Sequence, residues 1–459
     1  MFWNCLRLCV ALAVASSSSL WGISHAQGQS QSQTPAQVRP AAAWPAVVPE
    51  PQNSPVPADG AMPRDGRLPG IRLEELIRIG LERNPELRQA SHAVEVALGR
   101  AVQAGLYPNP EVSIEGSQLG GPQAPGGTIK APIVQQEIVL GGKLSAGRQA
   151  AQCAASKARV LLTAKRFEVL TAVRKGYFDM LAAQQRVEVL AELARLSGET
   201  QRTTETLVKG GQAAPLDLVQ IRVEKNRFEA DLEAARQQQT AAWRRLAAVI
   251  GVPDMEEHPV AGSLDALWPS YEFDEVVERL GEIHPEIQAS RVELNKAQWE
   301  LKRATAEVVP NVTVGAGYER DNIAQEDYWT LQASMPLPIF NRNQGNRQAA
   351  AAEIRRVGAE IDTVRNTLIA RAATAFGQYD AARRRAVRYR DSILPDADQA
   401  YRLALAAFQG GQFEYLRVLQ AQRAVAESRL EYLRALHELW LATCEIAGLM
   451  LEEQWHPGG

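Results

Sequence analysis

The 459-residue chain has little of what a catalytic or nucleic-acid-binding protein needs. Its 50 basic and 53 acidic residues nearly cancel, leaving a formal charge of −3 and no global field to attract nucleic acid. Aromatic residues make up only 6%, and Ala, Gln, Glu, Arg and Leu dominate the middle, which favours long helices over a sheet-based enzyme core. The six histidines are scattered, and none pairs at metal-ligand spacing. A phosphate-binding glycine loop ending in Lys-Ser/Thr is missing, as is a serine nucleophile elbow. Gly315-x-Gly317 lacks the third glycine and the helix of a dinucleotide loop, and close strand packing explains it. Arg383-Arg384-Arg385 reads as a solvated helix face. No enzyme, cofactor or bound metal is expected.

Cysteine is also scarce. Cys5 and Cys9 lie within residues 1–26, which read as a secretory signal: Arg7, an apolar run through Ala15, and small residues at Ser24-His25-Ala26. That run is too short to span a bilayer. Cys153 and Cys444 sit inside helix patterns and read as buried small apolar residues. Residues 27–69, rich in Gln, Ser, Pro and Ala without hydrophobic period, form a disordered lead segment.

What is present is a duplication. Lys209-Gly210-Gly211-Gln212 returns as Gln409-Gly410-Gly411-Gln412, 200 positions later, each between long helix-patterned segments. Asn84-Pro85-Glu86-Leu87 returns as His284-Pro285-Glu286-Ile287 at the same offset. The chain therefore divides into repeats at 70–269 and 270–450, followed by a short tail at 451–459. Each repeat opens with a short amphipathic helix. Asn84 then stands as a candidate N-cap, with proline at the first helical position, and His284 in the matching place reads as a capping or solvent-facing residue rather than a metal ligand.

The next helix ends at Tyr107-Pro108-Asn109-Pro110 or Val309-Pro310-Asn311, and the period changes from helix to strand, near 110–139 and 311–338. Val312, Val314, Ala316 and Tyr318 alternate with polar or small residues, as do Trp329, Leu331, Ala333, Met335 and Leu337. A pair of strands of about nine to eleven residues with one apolar side fits a transmembrane hairpin. Val312, Val314, Leu331 and Ala333 would face lipid, with Tyr318, Tyr328 and Trp329 at the level of an aromatic girdle. Alternation alone leaves open an amphipathic hairpin on a soluble core. In the first repeat Pro132 breaks the parity, which predicts a bulge or kink.

Leu144–Val208 is free of proline, enough for a helix of roughly 100 Å. Its counterpart from Asn343 is interrupted at Asp391–Asp396, with a kink expected at Pro395. The last helix carries an a/d row from Val418 to Ile446 and a second row of Leu419, Ala426, Leu433 and Trp440. Two seams on one helix suit the staves of a tube. Four strands cannot close a barrel, and open edges in lipid cost several kcal/mol per unsatisfied group, so three copies sharing twelve strands are expected.

Beyond Leu68 the order of elements, Asn-Pro-Glu-Leu, Pro-Asn-Pro and the glycine turns resemble the TolC-like outer membrane efflux proteins, and most of all the CzcC-like heavy-metal branch. The resemblance implies a mainly α fold with a small β-barrel part. A homotrimeric 12-stranded barrel in outer-membrane lipid would continue as an α-helical coiled-coil tunnel in the periplasm. It also implies a passive exit duct whose tip, at Gly210, Gly211, Gln212, Gly410, Gly411 and Gln412, docks a periplasmic adaptor and, through it, an inner-membrane resistance-nodulation-division pump. Asp217 matches the family's acidic latch position; Arg417 and Gln420 stand where many members carry an acidic ring. Asp217 and Arg417 are themselves 200 apart and could pair between neighbouring hairpins. Two other classes are weighed. A periplasmic adaptor has one hairpin flanked by all-β domains, and a secreted coiled-coil scaffold lacks the Val312–Leu337 alternation.

Overall fold

The computed structural model describes residues 70–117, 119, 127–211, 213–410 and 415–453. The expected signal and lead segment, and the tail beyond Glu453, lie outside them. The first repeat runs α1 (Leu73–Arg83), α2 (Pro85–Gln103), β1 (Glu111–Ser117), β2 (Thr128–Ile138), α3 (Lys143–Lys209) and α4 (Pro215–Val249). The second runs α5 (Phe273–Ile283), α6 (Pro285–Ala306), β3 (Val312–Asp321), β4 (Glu326–Ser334), α7 (Gln344–Arg388), a π turn (Tyr389–Ile393), α8 (Leu394–Gln409) and α9 (Tyr415–Leu449). The same plan is folded twice.

The caps explain where helices begin. Asn84 Oδ1 accepts from the Glu86 and Leu87 N–H groups at 2.8 and 3.3 Å, while its Nδ2 donates to the Val249 carbonyl at 2.7 Å. His284 does the same work through Nδ1, which accepts from the Glu286 N–H at 3.3 Å. Helix α3 runs 67 residues unbroken, about 100 Å at 1.5 Å per residue. The interruption ahead of Pro395 is taken up by the π turn, a wide turn that suits a residue unable to donate a backbone hydrogen bond.

Burial follows the two seams of α9. Val418, Val425, Leu439 and Ile446 are buried on one, and Leu419, Ala426, Leu433 and Trp440 on the other. Trp440 stacks on Phe178 of α3 at 4.6 Å between ring centroids and donates to the Leu264 carbonyl at 2.8 Å. Tyr177 lies in the cluster around Trp440, and Phe376 in the matching cluster between α5, α7 and α9. Further clusters continue toward the glycine turns, around Phe228 and around Phe408. The core is thus strung along the helices as successive layers. Cys444 is buried and Cys153 only half-buried; both are free thiols.

The two strand pairs join into one antiparallel sheet of order β1-β2-β3-β4. A bulge on β2 places Ala131 and Pro132 opposite single residues on both neighbours, between Lys130 and Ile133, where the parity break is predicted. The expected strand through Leu337 is shorter in the structure: β4 ends at Ser334, because Pro336 and Pro338 have no N–H to give a ladder. The sheet meets the helices at a polar junction. Asn311 Nδ2 donates to Glu137 at 2.6 Å, and its Oδ1 accepts from Lys143 Nζ at 2.6 Å.

Candidate membrane face, inner face and tip

Register assigns every strand residue to one of two faces. On the first, Val112, Val134, Ala316 and Leu331 form one cross-strand row, Val314 pairs with Ala333, and Val312 with Ile138. Tyr318 meets Trp329 edge to face at 5.8 Å. Leu331 and Trp329 are 88% and 81% exposed, so within one chain this apolar face is uncovered. Tyr328 pairs with Glu319, which puts it at the same end but on the opposite face from Tyr318 and Trp329.

The second face is acidic. Its rows are Glu111, Gln135, Gly315 and Gln332; Ser113, Ile133, Gly317 and Thr330; Glu115, Lys130, Glu319 and Tyr328; and Ser117, Thr128, Asp321 and Glu326. Glu137 joins them beside Thr313. Among the described residues six carboxylates face a single lysine, Lys130, which lies 3.8 Å from Glu319. Thr313, Thr330 and Gln332 lie on this face, among the polar or small residues that alternate with the apolar row, and the same period-two count reaches the acids. β1 and β4 are the two outer strands of the chain's sheet.

At the other end, Gly210 and Gly410 close their helices with nearly the same backbone, φ −82° and −80°. Gly211 then takes φ +71°, a left-handed conformation that a side chain disfavours. Gln212, Gly411 and Gln412 lie outside the described residues. Asp217 is half-buried and accepts from the Ala214 N–H at 3.2 Å, capping its own helix. Arg417 is exposed at the matching place on α9.

A cross-hairpin ion pair lies two turns higher, between Glu224 of α4 and Arg423 of α9 at 2.8 Å. Its signal was in the sequence: Ile221, Glu224 and Phe228 share one helical face, so a carboxylate sits inside an apolar stripe. Among the described residues no helix is long and apolar enough to cross a membrane, and no three His, Cys, Asp or Glu converge to hold a metal.

Comparison with known proteins places this architecture. The family model for outer membrane efflux proteins matches residues 76–252 and 276–448, one stretch in each repeat. The chain belongs to the outer membrane efflux protein family. It is similar to the cobalt-zinc-cadmium resistance protein CzcC of Cupriavidus metallidurans, 30% identical over 82% of this chain and 89% of the relative. It is also similar to the nickel-cobalt-cadmium resistance protein NccC of Alcaligenes xylosoxydans xylosoxydans, 23% identical over 67% and 70%. The crystal structure of the outer membrane protein VceC from Vibrio cholerae shares the fold, with a TM-score of 0.69 at 20% identity over 82% of this chain and 95% of that one. As a member of the outer membrane efflux family, the chain is an outer-membrane channel with its long helices in the periplasm, a passive duct.

Proposed function

We propose that three copies close a 12-stranded barrel through their outer strands and continue it as a helical tunnel. In this reading the channel is the exit duct of a tripartite system, receiving divalent metal cations from an inner-membrane resistance-nodulation-division pump through a periplasmic adaptor. The adaptor docks at the glycine turns, around Gly210, Gly211 and Gly410 and their continuation in Gln212, Gly411 and Gln412. The apolar face, with Val312, Val314, Leu331 and Ala333, lies against lipid.

The observation that carries the cargo assignment is the acidic inner face. Five net negative charges per chain, repeated around an aqueous bore, concentrate cations and repel anions. The names of the two resistance relatives point the same way. Purified channel in a planar bilayer under a KCl gradient should give a reversal potential of cation-selective sign. Glu111→Gln, Glu115→Gln and Glu319→Gln together should move it toward zero. An anion-selective potential, or a triple variant indistinguishable from the parent, would overturn the assignment.

A further inference from the structure

The apolar row within the hydrogen-bonded part of β4 is too short to cover the membrane's apolar band by itself. The row runs Trp329, Leu331, Ala333, four steps that cover about 13 Å along the strand and about 10 Å of height at a tilt of roughly 40°. An outer-membrane barrel carries an apolar band about 25 Å tall. The deficit cannot be made up on the outer side, because the next outward position above Trp329 is Asp327, ion-paired to Arg320 at 2.7 Å. The belt must continue toward the periplasm.

There the chain is apolar and exposed, although it is no longer a strand. Met335 and Leu337 extend the odd-numbered row, with prolines at the even positions. The Ile339 N–H then closes onto the Leu337 carbonyl at 2.9 Å, a tight turn about Pro338. Ile339 and Phe340 follow, and Phe340 is 90% exposed. Continuing the register across β3, Leu140, just past β2, comes level with Leu337, and its N–H reaches Asn311 Oδ1 at 3.4 Å. Tyr107, just ahead of β1, is exposed as well. The other side of this junction is the polar network of Asn311, Glu137 and Lys143. One side is dressed for water and the other for hydrocarbon.

We propose that Met335–Phe340, with Leu140 and Tyr107, forms the periplasmic rim of the lipid belt. The apolar side chains meet the acyl chains of the inner leaflet, and Phe340 and Tyr107 lie at the headgroup boundary. Proline suits this segment: a strand end with no N–H to donate leaves fewer unsatisfied groups in lipid. This rim rests on the barrel reading above.

Spin labels on single cysteines at Leu331, Thr330, Leu337 and Phe340, in a background without native cysteines, test it in liposomes. Collision with oxygen, which partitions into lipid, is compared with collision with a water-soluble nickel chelate. Labels at Leu331, Leu337 and Phe340 should favour oxygen several-fold, with Phe340 shallowest, and the Thr330 label should favour the chelate. Leu331 in lipid with Leu337 and Phe340 in water would overturn the rim and leave the barrel standing. Labels at Leu337 and Phe340 shielded from both reagents would mean that a neighbouring copy covers the segment, which also overturns the rim. Leu331 in water would remove the barrel reading and the rim with it.

Discussion

Glu224, with only 2% of its side chain exposed, accepts two hydrogen bonds from the half-exposed guanidinium of Arg423, at 2.8 Å from Nη2 and 3.2 Å from Nε. The pair joins the returning helices of the two repeats about 14 Å along α4 from its first residue, Pro215. Arg423→Ala would leave a buried carboxylate unpaired, at a cost of about 1–3 kcal/mol once water reaching the half-open site is allowed for. Glu224→Gln keeps the shape and should cost less. Hydrogen exchange over residues 215–230 should accelerate more in Arg423→Ala than in Glu224→Gln. Equal, parent-like protection in both would show that the pair does not hold α4 to α9.

The strand faces predict opposite responses to charge. Leu331→Arg, two residues inside the Trp329 end of the belt, should impair assembly by about 1–2 kcal/mol, between the interfacial and midplane costs, whereas Thr330→Arg, one residue along, lies on the polar face and should be tolerated. The yield of heat-modifiable, membrane-extracted protein reads the difference. Equal yields would contradict the face assignment.

His284 gives a pH dependence with a definite sign. Burial, and next the charge of Arg371, lower its pKa from the usual 6.5 to about 4, and its neutral Nδ1 is what caps α6. Folding therefore favours the uncharged ring. The contribution is fully present above about pH 6.5 and is lost as pH falls toward 4, by roughly 3 kcal/mol in all. His284→Asn, the residue found at Asn84 in the first repeat, should cap equally well and remove this part of the acid sensitivity. Helical thermal melts at pH 7 and pH 4.5 check it. An unchanged difference between the two pH values would dismiss the histidine.

The tip prediction concerns Asp217 and Arg417, at equivalent places on α4 and α9. Exposed pairs contribute only ~0–1 kcal/mol each, yet three acting together can bias a marginal open–closed equilibrium. Asp217→Asn keeps the cap on Ala214 but removes the charge. It should raise single-channel conductance, as should Arg417→Ala, while exchanging the two residues should restore the parent level. Parent-like conductance in both single variants would rule out a latch there.

Much of this structure was legible in the chain because it is local or periodic. Asn84-Pro85 and His284-Pro285 announce helix starts, Pro132 announces the bulge, and two seven-residue rows announce the two seams of α9. What was not legible depends on which elements meet. No local signal says that β2 lies beside β3, and that adjacency is what gathers Glu115, Lys130 and Glu319 into one row. Asp217 and Arg417 drew attention through their matching offset, whereas Glu224 and Arg423 pair without one. Side-chain reach between packed helices, not equivalence in the repeat, selects the partners.

The account stands on a barrel that one chain cannot close, since β1 and β4 each leave an edge of backbone groups that lipid cannot satisfy. Native mass spectrometry of protein extracted in mild detergent tests this most directly. The predicted result is an assembly of three chains that survives until the barrel is denatured. A stable, folded monomer under the same conditions would contradict the shared barrel.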